Sequence, residues 1–433
     1  MNQDASFREI ISRARPLSKM KDLNFLMEKL KNKRIVMIGE STHGTKEFYE
    51  WRWNISKELI ENYGFNFISI EGDWPYCKGI NQFIHGKTNL SAHDTLIHAS
   101  RWPSWMWANT EMLSFIEELR DYNRRSKRLV GLYGLDLYSF FDSMEEVVLH
   151  IRDVDPNLAK KLSRFYSCFD SYRPDEKAYL KAILSENKGC EEEVVKALQT
   201  ILCERIDRDE HFFQATQNAY IVMNAEKYYR SMVTQELDHA WNIRDEHMAD
   251  TLEMLLDHYG SESKGIVWAH NTHIGDYRAT DMVSRGEINL GGLMRERLGA
   301  ERVYLLGMST SYGRVTASTA WRGPTLNLEI PKPQLGSIES VFQKVGENLK
   351  TKMFCLDFDN IDPHSPLRDF KGHRAIGVVY WPGHESRGNY VPTKIAERYD
   401  GILYIEETQG VTPIQVMIRP EQIPDTYPFG SRL

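Results

Sequence analysis

Eight short runs rich in Val, Ile, Leu, Tyr and Phe punctuate this chain, and charged segments of helical period separate most of them. They are RIVMIG (34–39), FNFISIE (65–71), RLVGLYGLD (128–136), GIVWAH (265–270), RVYLLGMS (302–309), MFCLDF (353–358), AIGVVYW (375–381) and ILYIEE (402–407). Their apolar character is continuous rather than alternating, which suits strands covered on both faces. Strands alternating with helices predict an α/β fold: a mostly parallel central sheet with helices on both faces.

Between about Ser139 and Asp257 the strand signal stops. EEVVLHIRDVD, PNLAKKLSRFYSCF, EEEVVKALQTILCERI, FFQATQNAYIVMNAEKYYRSMV and RDEHMADTLEMLLDHYG all read as helices. A large helical insertion (139–257) is therefore expected to interrupt an α/β core made of residues 1–138 and 258–433. TAWRGPTLNLEIPKPQLGS (319–337), rich in Gly and Pro, reads as a long surface loop.

A length of 433 residues suits one large domain, or one domain with a substantial insertion. The hydrophobic fraction of 41% is that of an ordinary globular chain. The formal charge of −7 includes no basic face or acidic tail, so nucleic acid is a poor default partner. Five cysteines (Cys77, Cys168, Cys190, Cys203 and Cys355) are scattered, odd in number and without C-x-x-C spacing. That pattern predicts reduced thiols rather than a disulfide framework or a zinc site. The first residues mix charges without an apolar segment, and no run of 18 apolar residues occurs. A soluble cytoplasmic protein with no membrane partner is the expectation.

Polar residues gather where the predicted strands end. Glu40 and His43 follow the first, Glu71 and Asp73 the second, Asp136 the third, and His270 and His273 the fourth. In open α/β sheets ligands bind beyond the carboxyl ends of the strands, so these ends converge on one crevice. Any one of these acids reads more readily as a helix cap or turn residue. Four strand ends carrying Glu/His, Glu, Asp and His/His make coincidence a poor account.

Arg52 points to the same place. Phe48, Arg52, Ile55 and Leu59 fall on one stripe of a helix after Gly44. An arginine on an inward stripe needs a carboxylate, because an unpaired buried charge is too costly. Glu40 and Glu71 are the acids on hand, and a bidentate pair with either would floor a site. A purely structural ion pair is the blander alternative. His43, between strand end and helix start, suits a general base, kept neutral by the helix dipole and oriented by a nearby glutamate.

Three further stretches carry weaker signals. H-x-x-H in HNTH (270–273) raises a metal site with Glu40, His43 and Glu71, though no H-E-x-x-H or cysteine set accompanies it. One of its histidines fits catalysis and the other a satisfied structural role. WNIRDEHM (241–248) sets Trp241, Arg244, Asp245 and Met248 along one helical face, either lining a pocket or tying the insertion to the core through an Arg–Asp pair. RWPSWMW (101–107) holds three tryptophans, read as core rather than as a cleft wall. No G-x-S-x-G elbow, P-loop or G-x-G-x-x-G follows a strand. Without such a nucleophile, water activated by His43 fits better than a serine.

Taken in order, IGESTHG with Arg52, ISIEGDWP with Glu71, GLYGLDLYS, WNIRDEHM, WAHNTHIGD and GVVYWPGHES resemble the erythromycin esterase family over nearly the whole chain. The resemblance implies an α/β core whose helical insertion walls a cleft, and hydrolysis of a cyclic ester such as a macrolide lactone by water, without an acyl-enzyme. It implies catalytic roles for His43 as base, Glu40, Glu71, Arg52 and His270. It sets His273 alongside them, and with the residues read above as lining the crevice, Asp136, Trp241, Arg244 and Asp245, it makes the expected substrate-binding set. Family members are described as metal-independent, so no cofactor is expected and the partner is a small-molecule ester. Two other readings stay open: a metal-dependent hydrolase or peptidase built on the same His/Glu cluster, and a non-catalytic haem- or metal-binding protein.

Overall fold

A computed structural model describes residues 2–99, 101–186, 189–203, 209–233 and 237–415. The strands are β1 (Arg15–Pro16), β2 (Ile35–Ile38), β3 (Phe67–Asp73), β4 (Gly131–Asp136), β5 (Gly265–Trp268), β6 (Val303–Ala317), β7 (Leu326–Ile330), β8 (Met353–Asp357), β9 (Phe370–Arg374), β10 (Tyr390–Lys394) and β11 (Gly401–Thr408). Nine of them form one sheet in the order β1-β8-β11-β6-β2-β5-β3-β4, with β7 paired to β6; β9 and β10 form a separate hairpin. The central pairings β11–β6, β6–β2, β2–β5, β5–β3 and β3–β4 are parallel. The pairings of β8 and β7 are antiparallel. The mixed α/β architecture with a large, mostly parallel sheet is thus the one the apolar runs predict.

Helices α1 (Asn2–Arg13), α2 (Asn24–Leu30), α3 (Lys46–Tyr63), α4 (Trp74–Ile84), α5 (Ala92–Leu96) and α6 (Thr110–Arg125) accompany the first strands. Next come α7 (Phe140–Val154), α8 (Pro156–Tyr166), α9 (Glu176–Glu186), α10 (Glu191–Cys203), α11 (Glu210–Val233) and α12 (Leu237–Tyr259), with no strand among them. The last five are α13 (Asn271–Ile274), α14 (Met282–Arg285), α15 (Leu290–Leu298), α16 (Ile338–Leu349) and α17 (Ile395–Arg398). No helix among the described residues is long and apolar enough to cross a membrane.

Both faces of the sheet are covered. Val36 and Ile38 of β2 face Phe48, Ile55 and Leu59 of α3, together with α4 and α6. Ile35 and Met37, one residue out of phase, face α12, α15 and α16. All four are fully buried, and each contributes about 1.5–3 kcal/mol over an exposed position. A third cluster fills α7–α11. Helix α12 belongs to two of these clusters: Ala240 and Ile243 pack with α7–α11, while Met248, Leu252 and Leu255 pack on the sheet.

Three expectations need correction. AIGVVYW forms no strand. Its backbone bonds go to two loops instead, Ile376 N–H to Ser41 O and Val378 O from Ser318 N–H, leaving only isolated bridges. The stretch 319–337 is not all loop, since Leu326–Ile330 pairs with the long tail of β6. Only Ile330 of that strand is buried, so its apolar signal is weak. Finally, Cys168 and Cys190 are disulfide-bonded, with Cα atoms 6.0 Å apart, while Cys77, Cys203 and Cys355 are free. Packing of α8 and α10 brings the pair together across 22 residues, a proximity that spacing motifs do not encode.

Candidate active site

Strand β2 ends at Ile38 in the middle of the sheet, and the chain leaves it through Gly39–Thr45. Backbone bonds to neighbouring elements hold that turn: Asn271 N–H to Glu40 O, Ile376 N–H to Ser41 O, and Thr316 and Val411 N–H to Gly44 O. Gly44 is required there, because a Cβ would stand 1.8 Å from Thr316 O. Helix α3 then starts at Lys46 and ends at Tyr63, followed by Gly64, whose φ of 73° suits a left-handed cap. The predicted stripe Phe48, Arg52, Ile55 and Leu59 is completely buried.

Glu40 links the turn to the helix. Its Oε1 lies 3.0 Å from His43 Nδ1, and its Oε2 lies 2.9 Å from Arg52 Nη2. The Arg52 guanidinium is stacked among aromatic rings, 4.3 Å from the centroid of Tyr49 and 5.2 Å from that of Trp268. Tyr49 in turn donates its hydroxyl to His43 O at 3.1 Å. A carboxylate against Nδ1 places the ring proton there and leaves Nε2 as the basic nitrogen. The ring keeps 6% exposure, and Nε2 has no hydrogen-bond partner among the described residues. Arg52 makes one carboxylate contact, not the bidentate pair expected from the sequence.

Glu71 lies where the β3–β4 register shifts between Ile70 and Asp73, an irregularity of the kind that re-aims side chains. Its Oε1 accepts from Arg244 Nη2 at 2.8 Å, and its Oε2 accepts from His270 N–H at 2.9 Å. Arg244 also clasps Asp136, with Nε 2.9 Å from Oδ1 and Nη2 against Oδ2. Burial alone would raise the Glu71 carboxyl, but His273, His43 and Arg244 beside it outweigh that and hold the group well below its ordinary value. Burial disfavours the Arg244 charge too, and Asp136 and Glu71 more than compensate.

The two histidines of HNTH differ in role. His270 caps α13: its Nδ1 accepts from the Thr272 N–H at 3.3 Å, so the ring proton belongs on Nε2. That Nε2 is buried without a partner among the described residues. Burial and the nearby His43 push the His270 pKa well down, so the ring is neutral. The His43 and His270 ring centroids are 4.8 Å apart. His273 is saturated instead. Its Nδ1 meets Asp245 at 2.9 Å, its Nε2 lies 3.3 Å from Glu71 Oε1, and Trp241 stacks on its face at 4.6 Å. Burial works against its charge, but Asp245 and Glu71 prevail and raise its pKa to about 9. Arg244 Nη1 is 3.1 Å from His273 Nε2, and both side chains meet Glu71 Oε1.

All ten residues singled out in the sequence (Glu40, His43, Arg52, Glu71, Asp136, Trp241, Arg244, Asp245, His270 and His273) join one contact network, and all are buried. Arg244 and Asp245 do not bond to each other; each reaches a separate partner on the sheet side. Sequence reasoning passed over two supporting residues. Trp107, read correctly as core, also donates its indole N–H to Glu71 O at 2.9 Å. Tyr49 holds the His43 carbonyl, and its place on α3 one residue after Phe48 gives no such signal.

The donors of this set are largely committed to one another. Among the described residues no group of three or more His, Cys, Asp or Glu is disposed around a single metal position.

The arrangement defines an α/β protein with a buried His–carboxylate–arginine centre at its strand ends. The profile of the erythromycin esterase family matches residues 60–408, and the chain belongs to that family. Among its relatives, YbfO of Bacillus subtilis, which carries a hydrolase name, is 24% identical, over 91% of this chain and 87% of that protein. Erythromycin esterase type II of Escherichia coli is also 24% identical, over 76% of this chain and 85% of its own length. The fold is shared with the crystal structure of a succinoglycan biosynthesis protein (TM-score 0.78, 21% identity, 95% of this chain and 98% of that one). It is shared as well with a mutant of the erythromycin esterase EreC in an open conformation (TM-score 0.66, 16% identity, 92% and 97%).

Proposed function

We propose that this protein hydrolyses a carboxylic ester, with a macrolide lactone as the first candidate substrate, by general-base activation of water at His43. The observation that carries the reading is the chain of contacts Arg52–Glu40–His43, which commits Nδ1 to a carboxylate and leaves Nε2 free to accept a proton. Water loses a proton to His43 Nε2 as its oxygen attacks the ester carbonyl. The neutral His270 offers a preorganised Nε2–H to the oxyanion that develops. When the tetrahedral intermediate collapses, the protonated His43 returns its proton to the departing alkoxide. Glu71, fixed by Arg244, His273 and the His270 backbone, holds His270 in place.

In this reading the helical segment 139–257 forms one wall of the substrate cleft, the location is cytoplasmic, and macrolide resistance is the cellular consequence. Because the ten side chains are buried, substrate reaches them only after neighbouring segments move aside.

The test is a hydrolysis screen of macrolides and simple esters, with His43→Ala as the control. Turnover of an accepted ester should fall by about 10²–10⁴ in the variant while its circular dichroism spectrum is unchanged. Undiminished turnover by folded His43→Ala would overturn the role of His43, and a macrolide-inert but ester-active wild type would overturn the macrolide assignment.

A further inference from the structure

Away from the site just described, α7 and α11 bring two imidazoles together. His150 Nδ1 and His211 Nδ1 face each other at 3.5 Å, with the ring centroids 5.5 Å apart. A direct N–H···N hydrogen bond would prefer about 2.9–3.0 Å, so this pair is too far apart for a good one. Two ligands of one tetrahedral ion, each about 2.0–2.1 Å from the metal, stand about 3.3–3.4 Å apart. The observed spacing is closer to that value.

The outer side of His150 supports the same reading. Glu146, one helical turn earlier on α7, places Oε2 3.2 Å from His150 Nε2, near enough for charge attraction though not in line for a hydrogen bond. A carboxylate there favours the proton on Nε2 and makes Nδ1 the lone-pair nitrogen, the carboxylate–histidine–metal arrangement of many bound ions. Lys78 of α4 pairs with the same carboxylate. Both histidines are only partly buried, and the His150 side chain retains 12% exposure. An ion can therefore reach the gap.

We propose that His150 and His211 bind one divalent transition-metal ion of the imidazole-preferring class, such as Zn²⁺, Cu²⁺ or Ni²⁺, through their facing Nδ1 atoms, pinning α7 to α11. No third His, Cys, Asp or Glu joins the pair among the described residues, so water completes the shell and the site exchanges its ion readily. The proposal is independent of ester hydrolysis.

The test uses the full-length protein, freed of metal with a chelator and titrated with Zn²⁺ by calorimetry and with Cu²⁺ by electron paramagnetic resonance. Wild type should bind one equivalent more than His150→Ala or His211→Ala, and its Cu²⁺ spectrum should carry coupling to imidazole nitrogen. Glu146→Gln should weaken that equivalent by about 10–100-fold. His93→Ala removes an exposed histidine of α5 and should change nothing. His43 and His270 are intact throughout, so any ion they hold is common to every titration. Metal-free unfolding midpoints identify folded variants, with His211→Gln replacing the alanine variant if needed. Equal stoichiometry and affinity in wild type and the folded His150→Ala/His211→Ala double variant would overturn the proposal.

Discussion

Glu40 and His43 lie three residues apart on one turn, and the turn folds back so that Glu40 Oε1 stands 3.0 Å from His43 Nδ1. The contact sets the tautomer of the histidine, and Arg52 on the other carboxylate oxygen keeps the glutamate from rotating away. In the proposed reaction Glu40 acts through His43 and is a positioning residue.

From this relationship, Glu40→Gln should depress kcat on an accepted ester by about 10²–10⁴, with KM little altered. The amide keeps the shape but loses the charge that stabilises the protonated imidazole. Unchanged kcat in a folded variant would contradict the assignment.

Arg244 serves two buried carboxylates, Glu71 and Asp136. Arg244→Met preserves much of the volume and removes the charge, leaving buried Asp136 without its guanidinium and Glu71 with only His273 and the His270 N–H. Stability should drop by about 3–5 kcal/mol, measured by urea unfolding at neutral pH. Part of the loss should be recovered at mildly acid pH, where the stranded carboxylates take up protons. A loss below about 1 kcal/mol would mean that the cluster is less dependent on this guanidinium than its geometry indicates.

His273 makes stability depend on alkaline pH. Its ordinary value is 6.5 and its folded value is about 9, so the folded state holds this proton more tightly than the unfolded state. The resulting contribution is complete below about pH 6.5 and fades as pH rises through about 9. Unfolding free energy measured from pH 6.5 to 9.5 should fall, and His273→Asn should flatten that part of the curve. Glu71 acts at the other end. Its lowered pKa gives stability that is present above the ordinary carboxylate value and lost as the pH falls through its folded value.

Much of this molecule is legible in its sequence. Continuous apolar runs mark buried parallel strands because burial on both faces leaves no alternation, and β2 to β5 fall where those runs predict. The cluster at the strand ends was also legible, since an acid, an imidazole and a guanidinium behind a central strand exceed what packing asks for. Arg52 was readable from helical spacing alone, because a 3.6-residue period puts it among Phe48, Ile55 and Leu59.

Partner choice was not legible. Arg244 reaches Asp136 across 108 residues and Glu71 across 173, although Asp245 is its immediate neighbour in sequence. The difference between the two histidines of HNTH has the same origin: one ring meets carboxylates from other elements, while the other caps its own short helix. The Cys168–Cys190 bond and the facing pair His150 and His211 likewise arise where helices distant in sequence pack together. Local sequence by itself determines which backbone hydrogen-bond pattern is cheapest and which side of an element is apolar. Which charges meet is decided only by tertiary structure, because Coulomb and hydrogen-bond energies depend on distances of a few ångströms that the packed helices and sheet set between them.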